Sequence, residues 1–293
     1  MTTEVIHTVA ALRAATAAWR TTHPHQRLAL VPTMGALHEG HLRLIDHALA
    51  HADAVIVSLF VNPTQFAPGE DFERYPRTLA ADQEACAGRG VQWIFAPSAR
   101  EMYPEGDQTE VAVPELAAGL CGVSRPHFFG GVARVVLKLL NIARADIAVF
   151  GEKDYQQLQV IRRMTRDLHH PTRILAAETV RESDGLAMSS RNRNLSADER
   201  RRAPELQRAL AKLAARLQGV SDAWAVDRAV QIARARIEAA GGRVDYLSVV
   251  DADDLAVATD CQRARRVAAA AWFGETRLID NLPVFPGSSR DRA

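Results

Sequence analysis

Three cysteines in 293 residues, Cys86, Cys121 and Cys261, are too few, too widely spaced and of the wrong parity for a disulfide framework or a zinc ribbon. Neither charge is in excess. Lys and Arg number 36 against 35 Asp and Glu, a formal net charge of +1, so no global field draws the chain to nucleic acid or to an anionic membrane. No apolar run approaches the length of a membrane span, and Met1-Thr2-Thr3-Glu4 lacks the basic start and apolar stretch of a secretory signal. The expectation is a soluble, cytoplasmic protein. Also missing are the Gly-x-x-x-x-Gly-Lys-Ser/Thr phosphate loop and the Gly-x-Gly-x-x-Gly fingerprint, the two commonest nucleotide-binding signatures. Any phosphate chemistry must be local and of another design.

What is present is a chain with 47% hydrophobic residues, long enough to bury a substantial core in one large domain or two ordinary ones. Short apolar runs at 27–32, 54–61, 91–96, 147–150 and 172–179 alternate with helix-like segments at 9–21, 41–51, 79–89, 132–143 and 155–169. That alternation predicts βα units around a parallel sheet. Beyond residue 180 the texture changes to a polar stretch at 181–198, helices at 199–218 and 223–240, and strands at 244–250 and 267–272, the pattern of a smaller α+β unit. The expected division is 1–179 and 180–293, with 288–293 a frayed tail.

Residues at the carboxyl ends of the parallel strands are the ones to question, because ligands of doubly wound folds bind there. His38-Glu39-Gly40-His41 lies where a strand turns into a helix, and a helix N-terminus favours anions. The plainer reading is a capping turn with two incidental histidines. A protease-type zinc helix fits less well, since its histidines stand four apart and these stand three apart with a glycine between them. His47 and His51 have the four-residue spacing, which a solvated helix face also explains. Asn62 and Gln65 are amides suited to hydroxyl and carboxylate groups, or else turn chemistry around Pro63. Lys153 and Asp154 follow an apolar strand, where they suit a phosphate and a ribose hydroxyl or form a surface ion pair. Met188-Ser189-Ser190-Arg191 offers hydroxyls and a guanidinium to phosphate oxygens.

These weak signals occur in one order. Val31-Pro32-Thr33-Met34-Gly35-Ala36-Leu37-His38-Glu39-Gly40-His41 resembles the nucleotide-binding motif of the pantothenate synthetases. So do Asn62-Pro63-Thr64-Gln65-Phe66, Tyr75-Pro76-Arg77-Thr78, Phe150-Gly151-Glu152-Lys153-Asp154-Tyr155-Gln156-Gln157 and Asp184-Gly185-Leu186-Ala187-Met188-Ser189-Ser190-Arg191-Asn192. The similarity runs from Leu12-Arg13 to Arg277-Leu278-Ile279-Asp280-Asn281.

The resemblance implies an α/β fold: a Rossmann-like doubly wound parallel sheet of the HxGH nucleotidyltransferase superfamily, with a second, smaller α+β lid domain and usually a homodimer. It implies ATP-dependent joining of pantoate to β-alanine through a pantoyl-adenylate, with release of AMP and pyrophosphate and Mg²⁺ as companion of ATP. Carried over by position, Met34, Gly35, Ala36, Leu37, His38, Glu39, Gly40, His41, Gly151, Glu152, Lys153 and Asp154 line the ATP site. Val180 lies against adenine, and Met188, Ser189, Ser190 and Arg191 meet the phosphates. Gln65 and Gln157, with Asn62, serve pantoate or β-alanine. His41, His38, Lys153 and Arg191 carry catalysis, and Asp82 is a candidate metal ligand. Closure of the lid would protect an acyl-adenylate prone to hydrolysis.

Four positions depart from the family pattern. Phe128 occupies the place of a histidine, with His127 displaced by one; Arg134 replaces threonine; Ala81 replaces an often acidic neighbour of Asp82; and Asn194 stands where an aromatic residue is usual. Two accounts of the 127–134 segment are open. In one, the Gly130-Gly131 pair flexes so that His127 takes the vacated place and Arg134 reaches the triphosphate. In the other, Phe128 packs and Arg134 faces solvent. Competing readings are a nucleotidyltransferase that stops after AMP transfer, an aminoacyl-tRNA synthetase, which lacks support for want of a basic tRNA-binding module, and a catalytically dead nucleotide-binding protein, against which His41, Lys153 and Arg191 argue.

Overall fold

The computed structural model describes residues 3–67, 69, 72–258 and 260–285. Met1 and Thr2 of the N-terminal reading, and the tail at 288–293, lie outside them. The chain divides into two units. The first comprises Met1–Pro114, Arg125–Glu152 and Val160–Glu178; the second comprises Glu115–Ser124, Lys153–Gln159 and Thr179–Ala293. Besides the stretch after residue 178, the second unit takes in 115–124 and 153–159. The reason is hydrogen bonding across long sequence separations within the second unit: Asn281 Nδ2 donates to the Lys153 carbonyl at 2.9 Å and Tyr155 Oη to that of Ala252 at 2.8 Å. The Gln156 amide holds the carbonyls of Leu116 and Gly119.

In the first unit, β1 (Glu4–Ile6), β2 (Leu28–Thr33), β3 (Ala54–Leu59), β4 (Trp93–Phe95), β5 (Ile147–Gly151) and β6 (Arg173–Ala177) form one parallel sheet in the order β1-β4-β3-β2-β5-β6. β2 to β5 are almost wholly buried, as unbroken apolar runs require when both faces of a sheet are covered. The chain runs from β2 outward through β3 to β4, then returns to β5 on the other side of β2. The topological switch point thus lies between β2 and β5, the place where doubly wound sheets take their ligands. β1, too short to show a period, was not among the expected strands.

Helices α1 (Val9–Thr22), α2 (Glu39–Leu49), α3 (Leu79–Ala87), α4 (Ala99–Met102), α5 (Pro114–Ala118), α6 (Cys121–Ser124), α7 (Phe128–Ala143) and α8 (Tyr155–Asp167) follow in chain order. The interior of the first unit gathers Val31, Ile45, Val57, Cys86, Ile94 and Val149. Burial in these apolar surroundings pushes the Cys86 thiol up to about 12, so it stays protonated and inert.

The second unit contains α9 (Ala197–Arg202), α10 (Glu205–Arg216) and α11 (Ala223–Ala239) and an antiparallel sheet in the order β7 (Arg243–Asp251), β8 (Arg265–Phe273) and β9 (Thr276–Val284). The helix expected over 199–218 is two helices, because Pro204 has no N–H to donate and its ring crowds the carbonyl four residues back. β8 is alanine-rich yet a strand; pairing on both edges and burial along nearly its whole length outweigh the helical preference of Ala268 to Ala271. Ala209, Leu210, Leu213, Ile237, Val267, Ala269 and Phe273 meet in this unit's core.

Candidate active site

The turn from β2 into α2 is held in unusual backbone geometry. Gly35 and Ala36 both have positive φ, 85° and 52°. Glycine adopts that region freely, and a Cβ on Gly35 would lie 3.2 Å from Asp82 Oδ2. Alanine does so at a cost of about 1–2 kcal/mol. Asp82 offsets it. Its carboxylate, 3% exposed, accepts from Ala36 N–H at 3.0 Å, Leu37 N–H at 2.8 Å and the Thr78 hydroxyl at 3.2 Å. Both oxygens face the protein's own donors, so Asp82 clamps the loop, and its expected role as a metal ligand stays a proposal. Among the described residues no group of three or more His, Cys, Asp or Glu converges on a metal position. The clamp also takes the N–H groups of Ala36 and Leu37, so a ligand on this loop meets other atoms.

His38 caps α2, with Nδ1 accepting from Gly40 N–H at 3.1 Å; His41 Nδ1 accepts from His38 N–H at 3.3 Å. The rings lie 4.1 Å apart between centroids. An imidazole that accepts at Nδ1 carries its proton, in the neutral form, on Nε2. Both histidines thus have an Nε2–H donor set by the backbone of one helical turn. Glu39 points away toward Arg43 and Arg89, each 3.6 Å distant.

After β3, Asn62 is 1% exposed and spends its whole amide on the protein. Its Oδ1 accepts from Tyr103 Oη at 2.8 Å and Thr64 Oγ1 at 2.9 Å; its Nδ2 donates to Gln65 Oε1 and to the Gly131 carbonyl, both at 3.2 Å. The partners of Asn62 here are protein groups, and its contact with substrate stays part of the proposal below. Asn62 is a scaffold for Gln65, because a tyrosine hydroxyl on one end and a glutamine on the other fill its hydrogen-bonding capacity. Gln65, itself buried, accepts at Oε1 and donates from Nε2 to Met34 Sδ at 3.0 Å. Arg125 Nη2 donates to the Gln65 carbonyl at 3.1 Å.

In the 127–134 segment Phe128 packs, as the second account has it, while the glycines and Arg134 depart from what was expected of them. Gly130 and Gly131 lie inside α7, and a Cβ on Gly131 would come within 2.3 Å of the Thr64 carbonyl oxygen. This glycine marks close backbone packing against the 63–65 turn, the opposite of flexibility. His127 is the exposed N-cap and makes no side-chain cap bond. Phe128 packs under the Arg125 guanidinium, 4.0 Å from ring centroid to Cζ. Arg134 binds Asp107 at 2.8 Å and lies over the Tyr103 ring at 4.9 Å. Asp107 holds it at partial exposure, 19% of the side chain facing solvent. Hydrogen bonds from Lys138 and Arg134 hold the Asp107 carboxyl below the usual carboxylate range, while burial pushes the Tyr103 hydroxyl up. Tyr103 was not among the expected site residues; no local motif marks it.

In the second unit, Lys153 stands in a single 3-10 turn directly after β5, with Asp154 Oδ2 3.5 Å from its Nζ. Gln156 and Gln157 begin α8 about a hundred degrees apart. Gln156 is buried and clamps α5 and α6, whereas Gln157 is only half-buried. The segment after Thr179 is a short hairpin: Arg181 bridges Ala187, and Met188 N–H donates to the Val180 carbonyl at 2.9 Å. Gly185, φ 96°, makes the bend. Beyond it Ser189 Oγ caps the 190–194 turn by accepting from Arg191 N–H at 3.3 Å, and Asn192 Nδ2 ties the turn to Glu182 Oε1 and the Ala187 carbonyl. Asn194 is exposed, as is Ala81. Arg200 pairs with Glu182 and Asp184 and holds the Asp184 carboxyl below its usual range. Arg181 makes a two-point pair with Asp280, at 2.7 and 3.0 Å.

Known proteins match this chain along its length. A family model described as pantoate–β-alanine ligase covers residues 4–283. The pantothenate synthetase of Thiobacillus denitrificans is 52% identical over 282 residues, 96% of this chain and 97% of its own. The crystal structure of pantothenate synthetase from Thermus thermophilus superposes with a TM-score of 0.89 at 45% identity, covering 97% of this chain and all of the other. A pantoate–β-alanine ligase from Francisella tularensis, solved with β,γ-ATP and β-alanine, superposes at 0.78 with 32% identity over 96% and 97% of the two chains. With its motifs in order on a doubly wound sheet and matches of this extent, the chain belongs to the pantoate–β-alanine ligase family.

Proposed function

We propose that this protein is an ATP-dependent ligase that condenses (R)-pantoate with β-alanine, forming pantothenate, AMP and pyrophosphate. Family membership over residues 4–283 carries the reading, and the donor chemistry of the first unit suits it. Pantoate's carboxylate is already a nucleophile at neutral pH. Its oxygen attacks the α-phosphorus of ATP, the bond to the bridging oxygen breaks, and pyrophosphate leaves. That step calls for charge neutralisation and no base. The Nε2–H groups of His38 and His41 supply donors of the required kind, held by α2 before reaction, and Lys153, Ser189, Ser190 and Arg191 supply further donors to the phosphates. Gln65, its carbonyl committed to Asn62, offers N–H to pantoate's carboxylate or hydroxyls, with Gln157 and Asn62 as further amides. In the second step the β-alanine amine attacks the acyl carbonyl, AMP leaves, and the nitrogen loses a proton.

Mg²⁺ belongs to this reading as a companion of the triphosphate, whose hard oxygens are its natural ligands; Asp82 is engaged with the loop and would be a candidate carboxylate for Mg²⁺ only if released, and neither step above passes through the ion. Val180 and the Met34–His41 and Gly151–Asp154 stretches remain assigned to ATP, and a cytoplasmic homodimer completes the proposal. The expected products from ATP, pantoate and β-alanine are AMP, pyrophosphate and the amide. With β-alanine omitted, labelled pyrophosphate should exchange into ATP in the presence of pantoate. Stoichiometric ADP would refute adenylation.

A further inference from the structure

The sequence block Arg277-Leu278-Ile279-Asp280-Asn281 took no part in the chemistry above, yet it puts two polar side chains into an apolar strand. Asp280 is 3% exposed and Asn281 5%. Buried polar groups on a strand are retained with partners, and here the partners are the two nucleotide segments of the second unit. Asp280 grips Arg181 with both oxygens, and Arg181 Nη1 also donates to the Gly185 carbonyl at 3.0 Å. Asp280 thus fixes the base of the hairpin that leads to Met188, Ser189, Ser190 and Arg191. Asn281 Nδ2 donates to the Lys153 main-chain carbonyl at 2.9 Å.

The direction of that second bond is set by a third residue. Arg266 Nη1 donates to Asn281 Oδ1 at 2.5 Å. A guanidinium has only donors, so it must face the amide oxygen, and the amide nitrogen is left to face Lys153. Arg266 is itself 7% exposed, with its Cζ 3.6 Å from the Tyr155 ring centroid. Tyr155 is in turn held through its hydroxyl by the Ala252 carbonyl. Every link of this chain lies within the second unit.

We infer that Asp280 and Asn281 are positioning residues for ATP chemistry, one strand of the second unit holding the Lys153 turn and the hairpin that ends in Arg191 in a common frame. Neither touches the reacting atoms. The inference rests on the reading that Lys153 and Arg191 serve the phosphates.

Asn281→Asp separates positioning from support of the fold. The carboxylate still accepts from Arg266, so the buried cation keeps its partner, but it has no hydrogen for the Lys153 carbonyl and sets oxygen against oxygen. Expected is a drop in kcat of roughly 10–100-fold, the scale of a misplaced reacting group, with pantoate KM little changed and the thermal midpoint within a few degrees of the parent. In a Lys153→Ala background the same change should cost almost nothing further, since contributions routed through one side chain do not add. Equal losses in both backgrounds would show a merely structural residue and overturn the inference, as would an unchanged kcat. If Lys153→Ala alone leaves turnover intact, the assignment of Lys153 fails first and takes the inference with it. Should Asn281→Asp not fold, Asn281→Ala serves in the same cycle. The companion variant Asp280→Asn is expected to raise the KM for ATP several-fold while leaving that for β-alanine unchanged; equal rises in both would remove Asp280 from the claim.

Discussion

The loop after β2 and the hairpin after Thr179 are both assigned to ATP, and they are held by opposite means. One buried carboxylate fixes the first, through two main-chain N–H groups and a hydroxyl. The second depends on guanidinium–carboxylate pairs, Arg181 with Asp280 and Arg200 with Glu182 and Asp184, the latter three side chains each about a third exposed to solvent. Main-chain clamping in a dry site is insensitive to salt and preserves unusual dihedrals. Ion pairs at partial exposure are weaker, screened and titratable. The contrast suits the roles proposed: a preorganised donor array at His38 and His41, and a phosphate-facing segment whose order responds to its surroundings.

The largest expected effect lies on the clamped side. His41→Ala should lower turnover by roughly 10²–10³-fold with the fold intact, the usual loss for one transition-state donor; normal pantothenate formation would reduce His41 to a helix cap. Next comes the clamp itself. Asp82→Asn places an amide N–H₂ against a backbone donor and should destabilise the protein by about 1–3 kcal/mol, an unsatisfied buried group's penalty, as measured by denaturant unfolding. The Mg²⁺ concentration for half-maximal activity should stay where it is, and a large shift would support Asp82 as a metal ligand.

Gln65→Ala is expected to raise pantoate KM by the equivalent of about 1–3 kcal/mol. Tyr103→Phe, which takes one donor from Asn62 Oδ1 but leaves Thr64, should move the same parameter in the same direction by less, about 1 kcal/mol. A kcat effect without a KM effect for either would place the pair elsewhere in the reaction.

The smallest effect tests the ion-paired side. Arg200 lowers the Asp184 carboxyl in the folded protein. A depressed folded value means stabilisation that is present in full above the unfolded value, near 3.8, and lost as pH falls through the folded one. Acid should therefore loosen this hairpin below about pH 4, and Arg200→Gln should remove that part of the pH dependence. At neutral pH the same variant should cost only about 0.2–1 kcal/mol given its exposure. Proteolysis within 181–191 is a direct readout; cleavage equally fast in parent and variant at every pH would show that the pairs do not order the hairpin.

Much of this was legible beforehand. The runs at 54–61 and 147–150 are β3 and β5, and the order of the motif blocks points to the family. β1 was not legible, because three residues display no period. Nor was the break at Ala203–Pro204 drawn from the sequence, although proline carried the signal. At 128–134 the two glycines looked like freedom, and Gly131 proved to be a contact with Thr64 too close for a side chain.

What the sequence by itself determined is therefore local and repetitive: most of the strands and helices, and which polar residues sit at strand ends. Tertiary structure decided what the buried polar side chains do. Asp82 meets its loop 46 residues away, Asn62 meets Gly131 at a separation of 69, and Asn281 reaches Lys153 across 128. A helix or strand announces itself through side chains a few positions apart, because its own backbone repeats. A buried donor or acceptor announces only that it needs a partner, and which group supplies one is settled when the chain has closed around it.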